Sequence, residues 1–222
     1  MLPINNTARL AGLMYLLLIP LGIMAMIYIP MTLIIDGDIA TTMANIKANI
    51  LLFRLASVSV YLVQLVNLFL VYLLFRIFSK VNIYVTWSMV ILIVTAIPIA
   101  WVNELNYAAI LHILAGDDPS PAQVALFLNL HVYGINIAQI FWGLWLFPMG
   151  YLVYKSGFMP KFVGILLMIG CFGYLVDSFI FFINPNFEIK FAEFLFLGEV
   201  VMTLWLLIKG VNAEKWHEIK AN

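Results

Sequence analysis

The sequence predicts an all-α membrane protein, a bundle of six transmembrane helices with the N- and C-termini on the cytoplasmic side. Three observations carry the prediction. The composition is 65% hydrophobic and 10% charged, against about 45–50% apolar and about 25% charged in an ordinary soluble domain. The apolar residues fall in six uncharged or nearly uncharged runs, each near the ~20 residues that one helical crossing needs. Finally, the basic residues flanking those runs are unevenly shared between the two sides.

The runs place helices at Leu10–Thr32, Leu51–Phe75, Tyr84–Leu111, Ala122–Tyr154, Lys161–Ile183 and Phe191–Ile208, in one membrane domain over residues 1–222. The first run contains Pro20 and Pro30. It exceeds the ~7–15 residue apolar stretch of a signal peptide and lacks a small-x-small cleavage site, so it reads as a retained helix. Turn-forming residues separate the runs: Asp36-Gly37-Asp38, Gly116-Asp117-Asp118-Pro119-Ser120-Pro121, Ser156-Gly157 with Pro160, and Asn184-Pro185-Asn186. Short connections predict antiparallel neighbours. The tail Glu214-Lys215-Trp216-His217-Glu218 reads as an interfacial continuation of the sixth helix, with Trp216 at headgroup level.

Direction follows from lysine and arginine, which are retained in the cytoplasm. Of the 11 basic residues, Arg9, Arg76, Lys80, Lys155, Lys161, Lys209, Lys215 and Lys220 flank one side, and only Lys47, Arg54 and Lys190 the other. The acidic loop residues Asp36, Asp38, Asp117 and Asp118 fall with the smaller group. A zero net charge supplies no field that would recruit nucleic acid, so no nucleic-acid partner is expected. Cys171 is the sole cysteine, which excludes an intrachain disulfide and a multi-thiolate metal site.

Ionisable residues inside a span are costly unless they face protein or water, so each is a candidate functional residue. Arg54, Glu104, His131, Asp177 and Glu199 are such residues here, accompanied by Gln64, Asn67, Asn103, Asn106, Asn129, Asn136 and Gln139. At ~1.5 Å per residue from the basic flanks, Arg54, Glu104 and His131 lie about 33–36 Å away, at the outer boundary. Asp177 lies at about 24 Å and Glu199 at about 15 Å. The stretches Leu70–Phe75, Val85–Val94 and Leu144–Val153 are nearly free of polar groups. Together these depths describe a vestibule open to the outside and sealed near the midplane. Arg54, Tyr61 and Gln64, like Asn129, Asn136 and Gln139, are spaced by seven and three, which predicts a shared face within each trio.

No nucleotide-binding glycine loop, His-Glu-x-x-His or Gly-x-Ser-x-Gly occurs, and no cofactor or metal site is expected. His112 and His217 read as interfacial residues. Three functions fit. A binding or transport protein would take a small or amphipathic ligand into the vestibule and exchange a proton at Asp177 or Glu199. An intramembrane enzyme would act on a lipid-like substrate, with His131 as acid or base oriented by Asp177 or Glu199 and Arg54 on an anionic headgroup. An accessory membrane protein would use the ions for packing alone. The expected partners are the bilayer and a small-molecule or lipid ligand; oligomeric state leaves no mark in the sequence.

The segment Asn129-Leu-His131-Val-Tyr133-Gly134-Ile-Asn136, continuing through Phe141-Trp142-Gly143-Leu144 to Gly150-Tyr151-Leu152-Val153-Tyr154-Lys155-Ser156-Gly157-Phe158-Met159-Pro160, forms a distinctive run. With Gly173-Tyr174-Leu175-Val176-Asp177-Ser178, Gly198-Glu199, Leu204-Trp205-Leu206-Leu207-Ile208-Lys209-Gly210, Ala8-Arg9-Leu10-Ala11-Gly12 and Phe53-Arg54, it resembles bacterial membrane proteins grouped as domain of unknown function family 4386. The resemblance implies six helices in the bacterial cytoplasmic membrane and no known activity. Its pattern falls on Arg54, His131, Tyr133, Gly134, Asp177, Ser178 and Glu199; Glu104 lies outside it. The candidate site therefore comprises Arg54, Gln64, Glu104, His131, Tyr133, Asn136, Gln139, Asp177, Ser178 and Glu199.

Overall fold

A computed structural model describes residues 3–184, 187 and 189–219. Pro185 and Asn186 of the last predicted turn and Lys220 of the basic flank lie outside the described residues. Six helices are long and apolar enough to cross a membrane: α1 (Ile4–Leu33), α2 (Ile50–Phe78), α3 (Ile83–Leu114), α4 (Pro121–Ser156), α5 (Lys161–Ile183) and α6 (Phe191–Ile208). No strand occurs among the described residues. The outward surface is apolar, with Ile91 60%, Phe69 57% and Phe179 57% exposed. Burying such side chains is worth roughly 1.5–3 kcal/mol each, so their partner is lipid; the chain is a multi-pass membrane protein.

Several spans run one or two turns beyond the predicted limits, because hydrophobic runs mark the hydrocarbon and not the helix ends. Their interruptions have local causes. In α1 a π-helical turn, Met24–Tyr28, precedes Pro30, whose ring cannot donate to the carbonyl four residues back and crowds it. In α4 the helix breaks at Trp145, immediately after Leu144, whose carbonyl Pro148 cannot serve. The first connection is more than the loop expected: Gly37 turns left-handed at φ 76°, and Asp38 then caps a helix at Ile39–Ala48. Its Thr42, Met43 and Ile46 face inward, a pattern too short and too mixed with polar residues to register in a search for spans.

Each helix packs on its neighbours in sequence, and α6 returns to α1, closing a six-membered ring. Glycines permit the closest approaches. A Cβ on Gly12 would collide with the α6 backbone at Leu207, and one on Gly150 with the Gly164 carbonyl of α5. The half of the ring bearing the termini is filled by apolar side chains, including Tyr15, Leu74, Met89, Leu152, Leu167 and Leu206. A second apolar cluster, built from Ile29, Ile46, Phe53, Ile110 and Val124, lies at the opposite end. His131 borders the second cluster through Tyr107, and Glu199 the first through Tyr15.

Candidate functional site

Glu104 stands where α3 breaks between Ile83–Asn103 and Leu105–Leu114, and its side chain is fully buried. The Ser57 hydroxyl of α2 donates to Oε2 at 2.6 Å. His131 Nε2 of α4 lies 3.1 Å from Oε1. With Nε2 protonated the imidazole donates to this oxygen; a protonated carboxyl would reverse the roles. The imidazole stacks on Tyr107, with centroids 3.8 Å apart and planes at 16°. Asn103 Nδ2 donates to the His131 carbonyl at 3.0 Å and is itself fixed by Asn106, whose amide donates to its Oδ1. Gly134 allows this approach, since a Cβ there would overlap the Asn103 amide. Thus one stretch of α3, residues 103–107, supplies the acid, the stacking ring and the clamp on α4.

Above the pair lies a cavity of about 470 Å³, within the ~300–1,000 Å³ range of small-molecule sites. Met26 and Pro30 of α1, Ala56 and Val60 of α2 and Leu128 and Val132 of α4 give it apolar walls. Glu104, Tyr107 and His131 line its depth, and the Asp36-Gly37-Asp38 turn its mouth. No lysine or arginine lines it among the described residues. The Thr41 hydroxyl, at 2.6 Å, and the Thr41 amide, at 2.9 Å, donate to Asp38. They hold its carboxyl below the ordinary aspartate range, so the mouth stays anionic at neutral pH.

Two further acids occupy separate settings. Glu199 of α6 accepts from the hydroxyls of Tyr174, at 2.7 Å, and Tyr15, at 3.1 Å, tying α5 and α1 to α6. Gln139 joins them through a long 3.4 Å contact to the Tyr174 carbonyl. Asp177 of α5 accepts from the Phe191 and Ala192 amides, each at 2.8 Å. It thereby caps α6 from a neighbouring helix and places negative charge at the positive end of its dipole.

The expected single vestibule therefore resolves into distinct polar sites. His131 is oriented by Glu104, the residue outside the resemblance, and not by Asp177 or Glu199. Arg54 forms no ion pair among the described residues and is exposed. Gln64 is buried and takes the Asn67 amide at 3.4 Å. Arg54 and Tyr61 point outward while Gln64 points inward, because ten residues rotate a helix by about 80° net; the expected shared face is corrected accordingly. Tyr133 is 41% exposed and packs against Phe181 and Phe182. Asn136 donates to the Val132 carbonyl of its own helix. Ser178 is completely buried, and its hydroxyl has no partner among the described residues. Sequence reasoning missed Ser57, Tyr107 and Tyr15. Tyr107, three residues after Glu104 and so on its face, carried the one usable signal.

The chain is similar, at 41% identity over 76 residues, to an uncharacterized protein of Archaeoglobus fulgidus. That stretch is 34% of this chain and 46% of the relative, so the match spans under half of the relative's length. No solved structure matches the chain. A family described as a domain of unknown function, DUF4386, matches residues 10–210, which takes in all the candidate residues above, and the chain belongs to it.

Proposed function

We propose that this protein binds a small amphipathic ligand in the cavity beneath the Asp36–Asp38 turn, and that the Glu104–His131 pair exchanges a proton as the ligand enters or leaves. The carrying observation is the buried carboxylate–imidazole contact in a cavity with largely apolar walls and an acidic mouth. Imidazole changes charge in the physiological range, and a carboxylate partner couples that change to any cation arriving beside it. Apolar walls favour the ligand's hydrocarbon part, and an acidic mouth without basic residues favours a protonated amine as its head. The tightly packed core beneath argues for binding as the primary event, with passage across requiring the ring to rearrange. Ser57 donates to Glu104, so its hydroxyl is not poised on the imidazole as an activated nucleophile would be; this weighs against the enzyme reading.

A thermal-shift titration with long-chain alkylamines checks the proposal. A ligand at 100 times its dissociation constant stabilises the folded state by about 2.7 kcal/mol. The shift is expected to vanish in Glu104→Gln and His131→Ala, and to persist in Asp177→Asn. A shift retained in both cavity variants would sink the site.

The proposal places the chain in the cytoplasmic membrane with both termini in the cytoplasm. Arg76, Lys80, Lys155, Lys161, Lys209 and Lys215 lie at the helix ends that share a face with the termini, which supports this orientation. A cysteine introduced at Lys215 in a Cys171→Ala background is expected to react with an impermeant maleimide only after cells are opened; labelling of intact cells reverses the orientation.

A further inference from the structure

At the face bearing the termini, a crevice of about 510 Å³ opens between the end of α2, the start of α1 and the helix Ala213–Glu218. We propose that it holds the phosphate headgroup of an anionic phospholipid. Asn5, Arg76, Ser79, Lys80 and His217 provide its polar lining, and Ile4, Phe75 and Trp216 much of its apolar one. Trp216 is fastened by its indole N–H to the Ile77 carbonyl at 2.8 Å. The Lys80 ammonium sits over that indole, 3.9 Å from the ring centroid. No aspartate or glutamate lines the crevice, and neither Arg76 nor Lys80 forms an ion pair among the described residues. The C-terminal carbonyls of α2 offset only about half a unit of this charge, so an anion is still called for.

Position selects a lipid over a free phosphate. Arg76 lies in the last turn of α2, where the span leaves the hydrocarbon. Phe69 and Tyr72, exposed and 6.5 Å apart between ring centroids, precede it by seven and four residues and so share its helix face. An acyl chain lying along that aromatic ridge brings its phosphodiester to the guanidinium fork, which binds two phosphate oxygens at once. Lys80 supplies a second point charge, and Ser79 a hydroxyl donor. Trp216 then occupies the interfacial level that indoles favour.

The test is titration of the detergent-purified full chain with short-chain phosphatidylglycerol, phosphatidylcholine or inorganic phosphate, read by Trp fluorescence and native mass spectrometry. Phosphatidylglycerol is expected to bind at least tenfold more tightly than phosphatidylcholine, and inorganic phosphate to leave no adduct. The Arg76→Gln/Lys80→Gln double variant should lose that tenfold preference, while Lys209→Gln, on the same face, should keep it. If the double variant does not fold, each single change should still reduce the preference several-fold. Equal binding of the two lipids, or a preference that survives both substitutions, overturns the proposal. Inorganic phosphate binding as tightly as phosphatidylglycerol overturns the lipid assignment.

Discussion

Replacing Glu104 by alanine is expected to destabilise the protein by about 2–6 kcal/mol, because two donors lose a buried acceptor at about 1–3 kcal/mol each. The size follows from what remains. Ser57 and the His131 imidazole both point at the vacated carboxylate. Each orphaned donor carries its full desolvation penalty, about 1–3 kcal/mol. Glu104→Gln is expected to fall between, since the carboxamide keeps one acceptor but turns an N–H toward the other donor. The sharper result comes from the pair. Glu104→Leu with His131→Phe removes both members of the pair, leaves only the Ser57 hydroxyl without its acceptor and retains the stack on Tyr107, so it should melt closer to the parent than Glu104→Ala does. Thermal unfolding in detergent, followed by intrinsic fluorescence, measures all four proteins. A double variant that melts no higher than Glu104→Ala would show that the contact is not an energetic unit.

That pair also marks the limit of what the sequence makes legible. Six spans can be read directly, because lipid demands long uncharged runs and tolerates few alternatives. The ring order follows from the short connections. Burial inside the bundle is different, since in a bilayer both faces of a helix are apolar and hydrophobic periodicity no longer says which face looks inward. Glu104, His131, Asp177 and Glu199 stand out as ions, but depth along one axis cannot pair them; pairing depends on the rotation of each helix. Asp177 and His131 illustrate the consequence. Both belong to the resembling pattern, yet one caps the backbone of α6 and the other meets a glutamate outside that pattern. Ser57 was invisible for a related reason: a hydroxyl in a span usually returns to its own backbone, and only the fold shows that this one does not.

Gly150→Leu is expected to be the most damaging single change in the apolar half of the ring. At this position α4 and α5 touch through their backbones: a Cβ on Gly150 would strike the Gly164 carbonyl and the Met168 amide, and one on Gly164 the Gly150 carbonyl. Backbone cannot yield as a side chain can, so the helices must separate. Separation forfeits the dispersion contacts that hold membrane helices together where no hydrophobic drive is available. A loss of roughly 3 kcal/mol or more is expected, at or beyond the upper end for overpacked cores. Gly22→Leu on α1 is the matched control, because nothing lies within 4 Å of its added carbon; there the gain in helix propensity, up to about 1 kcal/mol, leaves stability unchanged or raised. Comparable losses at the two positions would refute the close-packing account. The same substitution also probes the cavity. Helix α4 carries Gly150 at one end and His131 toward the other, with its break at Trp145 between them. If that break absorbs the displacement, alkylamine binding survives in Gly150→Leu despite the lower melting temperature; if α4 moves as one body, stability and binding fall together.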